Sequence, residues 1–252
     1  MRILAIDTTS EHGGAAVCSG DACLSLVQNE EPASRYAVTL FELADRALAQ
    51  AGVGFSDIEL YAVSNGPGSF TGIRVGLAAA QGWAKAFERP VIGVNLLEAM
   101  VERAHPVTDW AVPVLDARRG EFFAGLYRRM ADTTGQHDEF EPAGSGQLVH
   151  PERLSSMLEA LNRGGQCRTY SGGTIALLMR AHDLKARSLP ESLSQEIAAI
   201  DIPGTLLEAI ARVALRAFEQ GESSSPGELD ACYIRRSDAE LNWRPSVVKA
   251  GS

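Results

Sequence analysis

The sequence predicts an α/β fold, and three observations predict it. Apolar runs of strand length recur through the first hundred residues, at Ile3–Ile6, Gly14–Cys18, Cys23–Val27, Leu60–Val63 and Val91–Val94. Two longer stretches between them carry apolar residues at helical spacing instead. Turns of small, polar or glycine residues separate the segments. Together they give the order β-β-β-α-β-α-β.

Each element has its own signal. Ile3–Ile6 reads as a buried strand that stops at the polar turn Asp7-Thr8-Thr9-Ser10. Ser19-Gly20-Asp21 is a tight turn joining the second and third strands into a hairpin. Ser34 is placed to cap a helix with Ala37, Phe41, Ala44, Leu48 and Ala51 on its apolar side and Gly52 as its stop. After Leu60–Val63, the turn Asn65-Gly66-Pro67-Gly68-Ser69 leads to Thr71, read as the cap of a second helix to about Phe87. Pro90 ends that helix before Val91–Val94.

The second half repeats the class with weaker signals. Trp110–Leu115 and Phe122–Tyr127 read as strands around Asp116-Ala117-Arg118-Arg119-Gly120. Ala131–Gly146 has no period and reads as a long loop, Pro151–Asn162 as a helix, and Thr169-Tyr170 as the end of a short strand before Gly172-Gly173. Pro203 opens a helix carrying Leu206, Leu207, Ile210, Val213, Ala214, Ala217 and Phe218, closed by Gly221. Ser223–Gly227 reads as a link, Ala231–Ile234 as a last strand, and the chain beyond Trp243 as a frayed tail. The domain reading is residues 1–100 as one unit and 108–252 as a smaller second one, with the helix 203–220 and the tail packing back on the first.

Composition narrows the function classes. The 252 residues carry 23 basic and 32 acidic side chains, a net charge of −9, which disfavours a long RNA groove because phosphates are neutralised by Lys and Arg. Arg118-Arg119, Arg128-Arg129 and Arg235-Arg236 are the tight basic pairs, read as solvated surface or as contacts to a phosphate or an acidic partner. Cys18, Cys23, Cys167 and Cys232 form no C-x-x-C pair and read as reduced thiols of a cytoplasmic protein. Ile3–Ile6 meets a charge at Asp7, too soon for a signal peptide, and no apolar run nears the ~18 residues of a membrane span.

Candidate chemistry is sparse. Asp7, Thr8 and Thr9 sit at a strand-to-strand turn, where they either position a metal-bound phosphate or hold the turn by side-chain bonds to backbone. Gly68, Ser69 and their neighbours in the Gly66–Gly72 turn precede a helix, a place that offers N–H groups to an anion or is simply a tight turn; no Walker lysine follows, and Arg74 is the nearest cation. The helix after it is rich in small residues, including Gly72, Gly76, Ala79 and Ala80, so that another backbone comes close, either a subunit's or its own sheet's. His12, His105, His137, His150 and His182 include no i, i+4 metal pair, and there is neither H-E-x-x-H nor G-x-S-x-G. Asp116 beside Arg118-Arg119 suits an anion or a structural ion pair.

Longer blocks carry a resemblance. Ile3-Leu4-Ala5-Ile6-Asp7-Thr8, Val63-Ser64-Asn65-Gly66-Pro67-Gly68-Ser69-Phe70-Thr71-Gly72-Ile73-Arg74-Val75-Gly76, Val114–Glu121 and Tyr233-Ile234-Arg235-Arg236 together resemble the TsaB family, once labelled glycoprotease-like. The resemblance implies a two-lobed fold of the actin, Hsp70 and sugar-kinase type, and a role as the non-catalytic partner of TsaD. In that role it supports, with the ATPase TsaE, transfer of threonylcarbamoyl to adenosine 37 of tRNA. TsaD carries two metal-binding histidines in an Asn-His-Leu-Glu-x-His segment; here Val94–Met100 puts Leu96 and Met100 at those places, so no metal and no catalytic residue carry over.

The resemblance also implies a partner-binding helix face, assigned to Tyr36, Leu40, Phe41, Ala44, Arg74, Gly76, Ala79, Ala80 and Trp83, which supports a homodimer when TsaD is absent. Tyr36 and Val38 depart from the more polar stretch common in the family. No cofactor is required; weak ATP or ADP binding at the partner interface stays open through Asp7, Thr8, Thr9, Gly68 and Ser69, with Gly172-Gly173 on the adenosine side. Asp116-Ala117-Arg118-Arg119-Gly120, with its bulky side chains, stands where the resemblance expects the second-lobe phosphate-loop glycines and argues against the usual nucleotide pose. Contact with tRNA is indirect, through the complex, and no membrane is involved. The alternative is a weak ATP-binding or kinase-like protein of the same actin-like class.

Overall fold

Five strands build the first sheet: β1 (Arg2–Asp7), β2 (Gly14–Ser19), β3 (Ala22–Gln28), β4 (Leu60–Gly66) and β5 (Val91–Asn95), in the order β3-β2-β1-β4-β5. Strands β1, β2 and β3 pair antiparallel, whereas β1, β4 and β5 run parallel. The computed structural model describes residues 1–30, 35–130, 139–163, 175–179, 197–222 and 227–234. Central strands are apolar on both sides because both faces are covered; Ile3, Leu4, Ala5 and Ile6 are all buried.

Helices α1 (Tyr36–Ala51) and α2 (Phe70–Ala86) cover one face. Gly52 ends α1 in the left-handed conformation at φ 69°, and the Ser25 hydroxyl donates to Ala47 O at 2.6 Å, fastening α1 to β3. Two expected caps change. Arg35, without a side-chain cap bond, precedes α1, and Ser34 lies outside the described residues. For α2 the cap is Ser69, not Thr71: Ser69 keeps an extended backbone and its Oγ accepts the Gly72 N–H at 3.2 Å. A further helix, α3 (Leu96–Ala104), follows β5 directly, capped by Asn95, whose Oδ1 accepts the Leu97 N–H at 2.9 Å.

The second sheet repeats the first. Strands β6 (Trp110–Asp116), β7 (Phe122–Ala124), β10 (Gln147–Val149), β11 (Ile175–Met179) and β12 (Ile197–Asp201) lie in the order β10-β7-β6-β11-β12, with the same alternation of antiparallel and parallel pairs. Helix α4 (Pro151–Arg163) falls between β10 and β11, as α1 falls between β3 and β4. A hairpin of β8 (Tyr127–Arg129) and β9 (Phe140–Pro142) is added on β6. This is the two-lobed actin-like fold, with a duplicated topology that the two half-sequences do not display.

Several expected elements differ. The single strand 122–127 is two, β7 and β8. Pro113 in β6 has no N–H to donate, and opposite it the ladder reduces to Gly125 N–H bonding Pro113 O at 3.1 Å. Within 131–146, residues 131–138 are not described, but β9 occupies Phe140–Pro142, so the stretch is not all loop. Helix α5 starts at Leu207, not Pro203, because Gly204 turns left-handed at φ 71° and Thr205 Oγ1 accepts the Leu207 N–H. Ala231–Ile234 forms no strand; Cys232 N–H bonds Asn65 O outside any ladder. The strand at Thr169-Tyr170 lies outside the described residues.

The helices after each sheet change places. Helix α5 (Leu207–Glu219), which follows the second sheet, packs on β1, β2, β4 and β5 of the first, and α3, which follows the first, packs on β6 and β11 of the second. One core therefore runs from Ile3 and Ala5 through Leu97, Met100, Ile210 and Ala214 to Leu115 and Leu178. Glu102 on α3 clamps the pair, accepting from Arg212 Nε at 2.9 Å and from Arg216 at 3.0 Å. We expect Glu102→Ala to lower the unfolding free energy by about 1–3 kcal/mol, seen as a lower urea midpoint with an unchanged slope.

Candidate functional site

The β1–β2 turn and the start of α2 meet at the carboxyl ends of β1 and β4. Asp7 and Thr8 are fully buried and Thr9 nearly so. Asp7 Oδ1 accepts the Thr9 N–H at 2.9 Å and the Thr9 hydroxyl at 2.6 Å. The Thr8 hydroxyl donates to Gly72 O at 2.6 Å, and Ser69 N–H donates to Thr9 O at 2.9 Å. A Cβ at Gly68 would stand 2.7 Å from Thr9 Cβ, and one at Gly72 or Gly76 would strike Thr8. Asp7, Thr8, Thr9, Gly68 and Ser69 thus come together as expected, but largely by bonding one another. Asp7 Oδ2 and Ser64 Oγ are buried with no hydrogen-bond partner, one residue beyond the paired Ile6 and Val63.

The small residues of α2 now have a cause. Gly72 and Gly76 admit the chain's own Thr8, while Gly82 lies on the outer side with nothing within 4 Å of an added Cβ. Of the residues assigned to a partner face, Tyr36, Leu40, Ala44, Gly76, Ala79, Ala80 and Trp83 are buried inside the chain, on the side of α1 and α2 that meets the sheet. Tyr36 also donates its hydroxyl to Ser10 O at 2.8 Å, fixing the β1–β2 turn. Phe41, 56% exposed, and Arg74 face outward. Beside them the free surface of the two helices has Val38, 72% exposed, with Ala78 and Gly82. Phe41 packs edge-on against Trp83, their ring centres 5.3 Å apart.

Arg74 is held in place. Its guanidinium lies 3.9 Å from the Phe70 ring centre, and its Nε–H donates to the Tyr233 hydroxyl at 2.9 Å. Tyr233 belongs to a strap, residues 227–234, that crosses the ends of β4 and β5. Gln81 Nε2 donates to Leu229 O, and Gly66, at φ 116°, leaves the space that Cys232 O occupies. The sequence gives Tyr233 as part of a family block but no sign of this clamp.

In the second lobe, Arg118 and Arg119 both adopt left-handed backbone, at φ 61° and 58°, where the resemblance expects phosphate-loop glycines elsewhere in the family. Asp116 Oδ1 accepts the Arg118 N–H at 2.7 Å, and Arg118 reaches Glu11 across the cleft mouth at 4.0 Å, an exposed pair worth little in stability. Leu96 and Met100 point into the shared core at 1% and 0% exposure. Between them, Glu98 has its carboxyl pushed above the usual range by burial, with Arg216 opposing the shift. Among the described residues no group of three His, Cys, Asp or Glu is arranged to hold a metal ion, and no helix is long and apolar enough to cross a membrane.

Comparison with known proteins agrees with these features. A family model described as "TsaD: tRNA N6-adenosine threonylcarbamoyltransferase" matches residues 27–229. The tRNA threonylcarbamoyladenosine biosynthesis protein TsaB of Escherichia coli is 31% identical over 188 residues, covering 71% of this chain and 79% of that protein. The chain belongs to the TsaB family. A tRNA N6-adenosine threonylcarbamoyltransferase of Anaeromyxobacter is 26% identical over 258 residues, covering 86% of this chain and 77% of its own. The solved structure of YeaZ from Pseudomonas aeruginosa superposes with a TM-score of 0.69 at 22% identity, covering 92% of this chain and all of that one, a likeness of fold. For this TsaB-family chain the two kinds of glycine separate in a stability test. Gly76→Ala is expected to cost about 1–3 kcal/mol, because its Cβ meets Thr8. Gly82→Ala is expected to gain up to about 1 kcal/mol. Urea unfolding of both variants measures this.

Proposed function

We propose that the chain is a non-catalytic scaffold subunit of the machinery that makes threonylcarbamoyladenosine in tRNA, docking TsaD on the outward surface of α1 and α2. The observation that carries the reading is the burial of Leu96 and Met100. They occupy the positions where the resemblance places the histidines of TsaD, and they serve as packing in the core shared by both lobes. Leu96 offers no lone pair, the Met100 thioether is a soft and weak ligand, and neither has a path to substrate from that core. The docking surface is supported by Val38 and Phe41, large apolar side chains left in solvent on one helix, beside the low-relief stripe of Ala78 and Gly82 and the fixed guanidinium of Arg74.

In this reading the chain stabilises the active arrangement of TsaD by binding to it, a coupling of free energies between two surfaces. TsaE joins the pair, tRNA is met through the complex, the same surface supports a homodimer when TsaD is absent, and the location is the cytoplasm. Purified alone, the chain is expected to show no transferase activity. Activity appears when it is added to TsaD and TsaE, and equal rates with it omitted would refute the role. Val38→Asp, a change on a side chain 72% exposed, is expected to weaken co-purification with TsaD at least tenfold while leaving the unfolding midpoint nearly unchanged.

Weak nucleotide binding is the second reading. Asp7 Oδ2 favours it, a fully buried carboxylate oxygen that lacks a protein partner at the end of the first strand. Titration calorimetry of the lone chain with Mg-ATP tests it: heat that disappears in Asp7→Ala supports the site, and no heat from the parent chain removes it.

A further inference from the structure

We propose that Cys18 and Cys23 are a disulfide-forming pair, a modification site on the β2–β3 hairpin that reacts with low-molecular-weight disulfides. Their sequence spacing shows nothing, but the strand register does. The turn at Gly20–Asp21 is closed by Ser19 opposite Ala22, and the next pair up the ladder is Cys18 opposite Cys23. That pair is the non-hydrogen-bonded kind, in which Cα atoms of antiparallel strands stand about 4.5 Å apart. This falls inside the window of about 4.4–6.8 Å that a disulfide spans. The bulge falls on the next step, between Val17 and Cys18, so the Cys18–Cys23 pair keeps the register set by the turn.

The side chains agree with the juxtaposition. Both cysteines are free thiols, and each lies close enough to raise or lower the other's ionisation. Cys23 Sγ also contacts Ser25 O at 3.4 Å. Cys18 is buried and Cys23 is exposed, so one thiol is open to a reagent and the other waits behind it. Helix α5 supplies the charged groups facing them, Glu208 beside Cys23 and Arg212 towards Cys18.

The chemistry balances in two steps. The Cys23 thiolate attacks one sulfur of oxidised glutathione, forming a mixed disulfide and expelling one glutathione thiolate. Cys18 then loses its proton to solvent and attacks the Cys23 sulfur, closing the Cys18–Cys23 bond and expelling the second. Two protein thiols lose two electrons and one glutathione disulfide gains them. Burial, the largest cause, pushes Cys18 up to about 12, and burial also raises Cys23, with Glu208 adding to both. Thiolate is therefore scarce at neutral pH, and closure accelerates as pH rises. The bond lies on the α5 side of the sheet, away from α1 and α2.

The test uses the full chain carrying Cys167→Ser and Cys232→Ser, treated with oxidised glutathione and followed by intact-mass and peptide mapping. The expected product is lighter by two hydrogens, joins the Cys18 and Cys23 peptides, reverts with dithiothreitol, and forms at least tenfold faster at pH 9 than at pH 7. Cys18→Ser in the same background is expected to stop at a glutathione adduct on Cys23. A lasting adduct on Cys23 with Cys18 still free in the two-thiol protein would overturn the proposal, as would no reaction of either thiol at pH 9. Should the background variant not fold, peptide mapping of the unsubstituted chain reads the same outcomes.

Discussion

The exchange of α3 and α5 between the two sheets is the constraint on which the molecule rests. Each sheet needs its second face covered, and each takes the cover from the helix that follows the other sheet. The two lobes therefore share one core between them, beside the core each keeps on its other face, and Glu102 joins the two helices through Arg212 and Arg216. Moving either lobe as an independent body would expose apolar side chains of both.

That constraint explains why the first turns of α3 are so apolar. Leu96, Leu97, Ala99, Met100 and Val101 are all buried, because α3 is enclosed by the second sheet and by α5. A helix in that position that carried imidazoles for a metal would need an open cavity beside them; here the same volume is filled by packed side chains. In the same way Thr8 and Thr9 fill the space at Gly68, Gly72 and Gly76, so that the turn most reminiscent of phosphate binding is spent largely on holding β1 against α2.

Much of the first lobe was legible in the sequence, because apolar runs buried on both faces and helices with one buried stripe leave distinct periods. Periodicity found α1 but set its apolar stripe partly on the wrong side: Ala44 and Leu48 face the sheet as read, whereas Ala37 and Phe41 are exposed, and Tyr36, Leu40, Leu43 and Ala47 fill the buried side. Val38 and Phe41, on the exposed side, could be placed only by the rotation of the helix in three dimensions. Helix α3 escaped notice since β5 passes into it without a breaker, Asn95 serving as both last strand residue and cap. Strands β7 and β8 were read as one because the interruption is imposed by Pro113, on a different strand. The meeting of Asp7, Thr8 and Thr9 with Gly68 and Ser69 was foreseeable from two turns at the ends of adjacent strands. The Tyr233 clamp on Arg74 and the facing of Cys18 with Cys23 depend on tertiary register, which no local pattern encodes.

The late position of α5 in the chain bears on how the protein is made. While a ribosome is still short of residue 207, the nascent first lobe has all five of its strands, yet the face bearing Ile3, Ala5, Ala16, Leu60 and Val94 lacks α5, the helix that, among the described residues, packs across β1, β2, β4 and β5. That hydrophobic face stays open until α5 emerges, so chaperone engagement and aggregation compete for it during synthesis. A stalled or prematurely terminated product would present this surface in its most adhesive form.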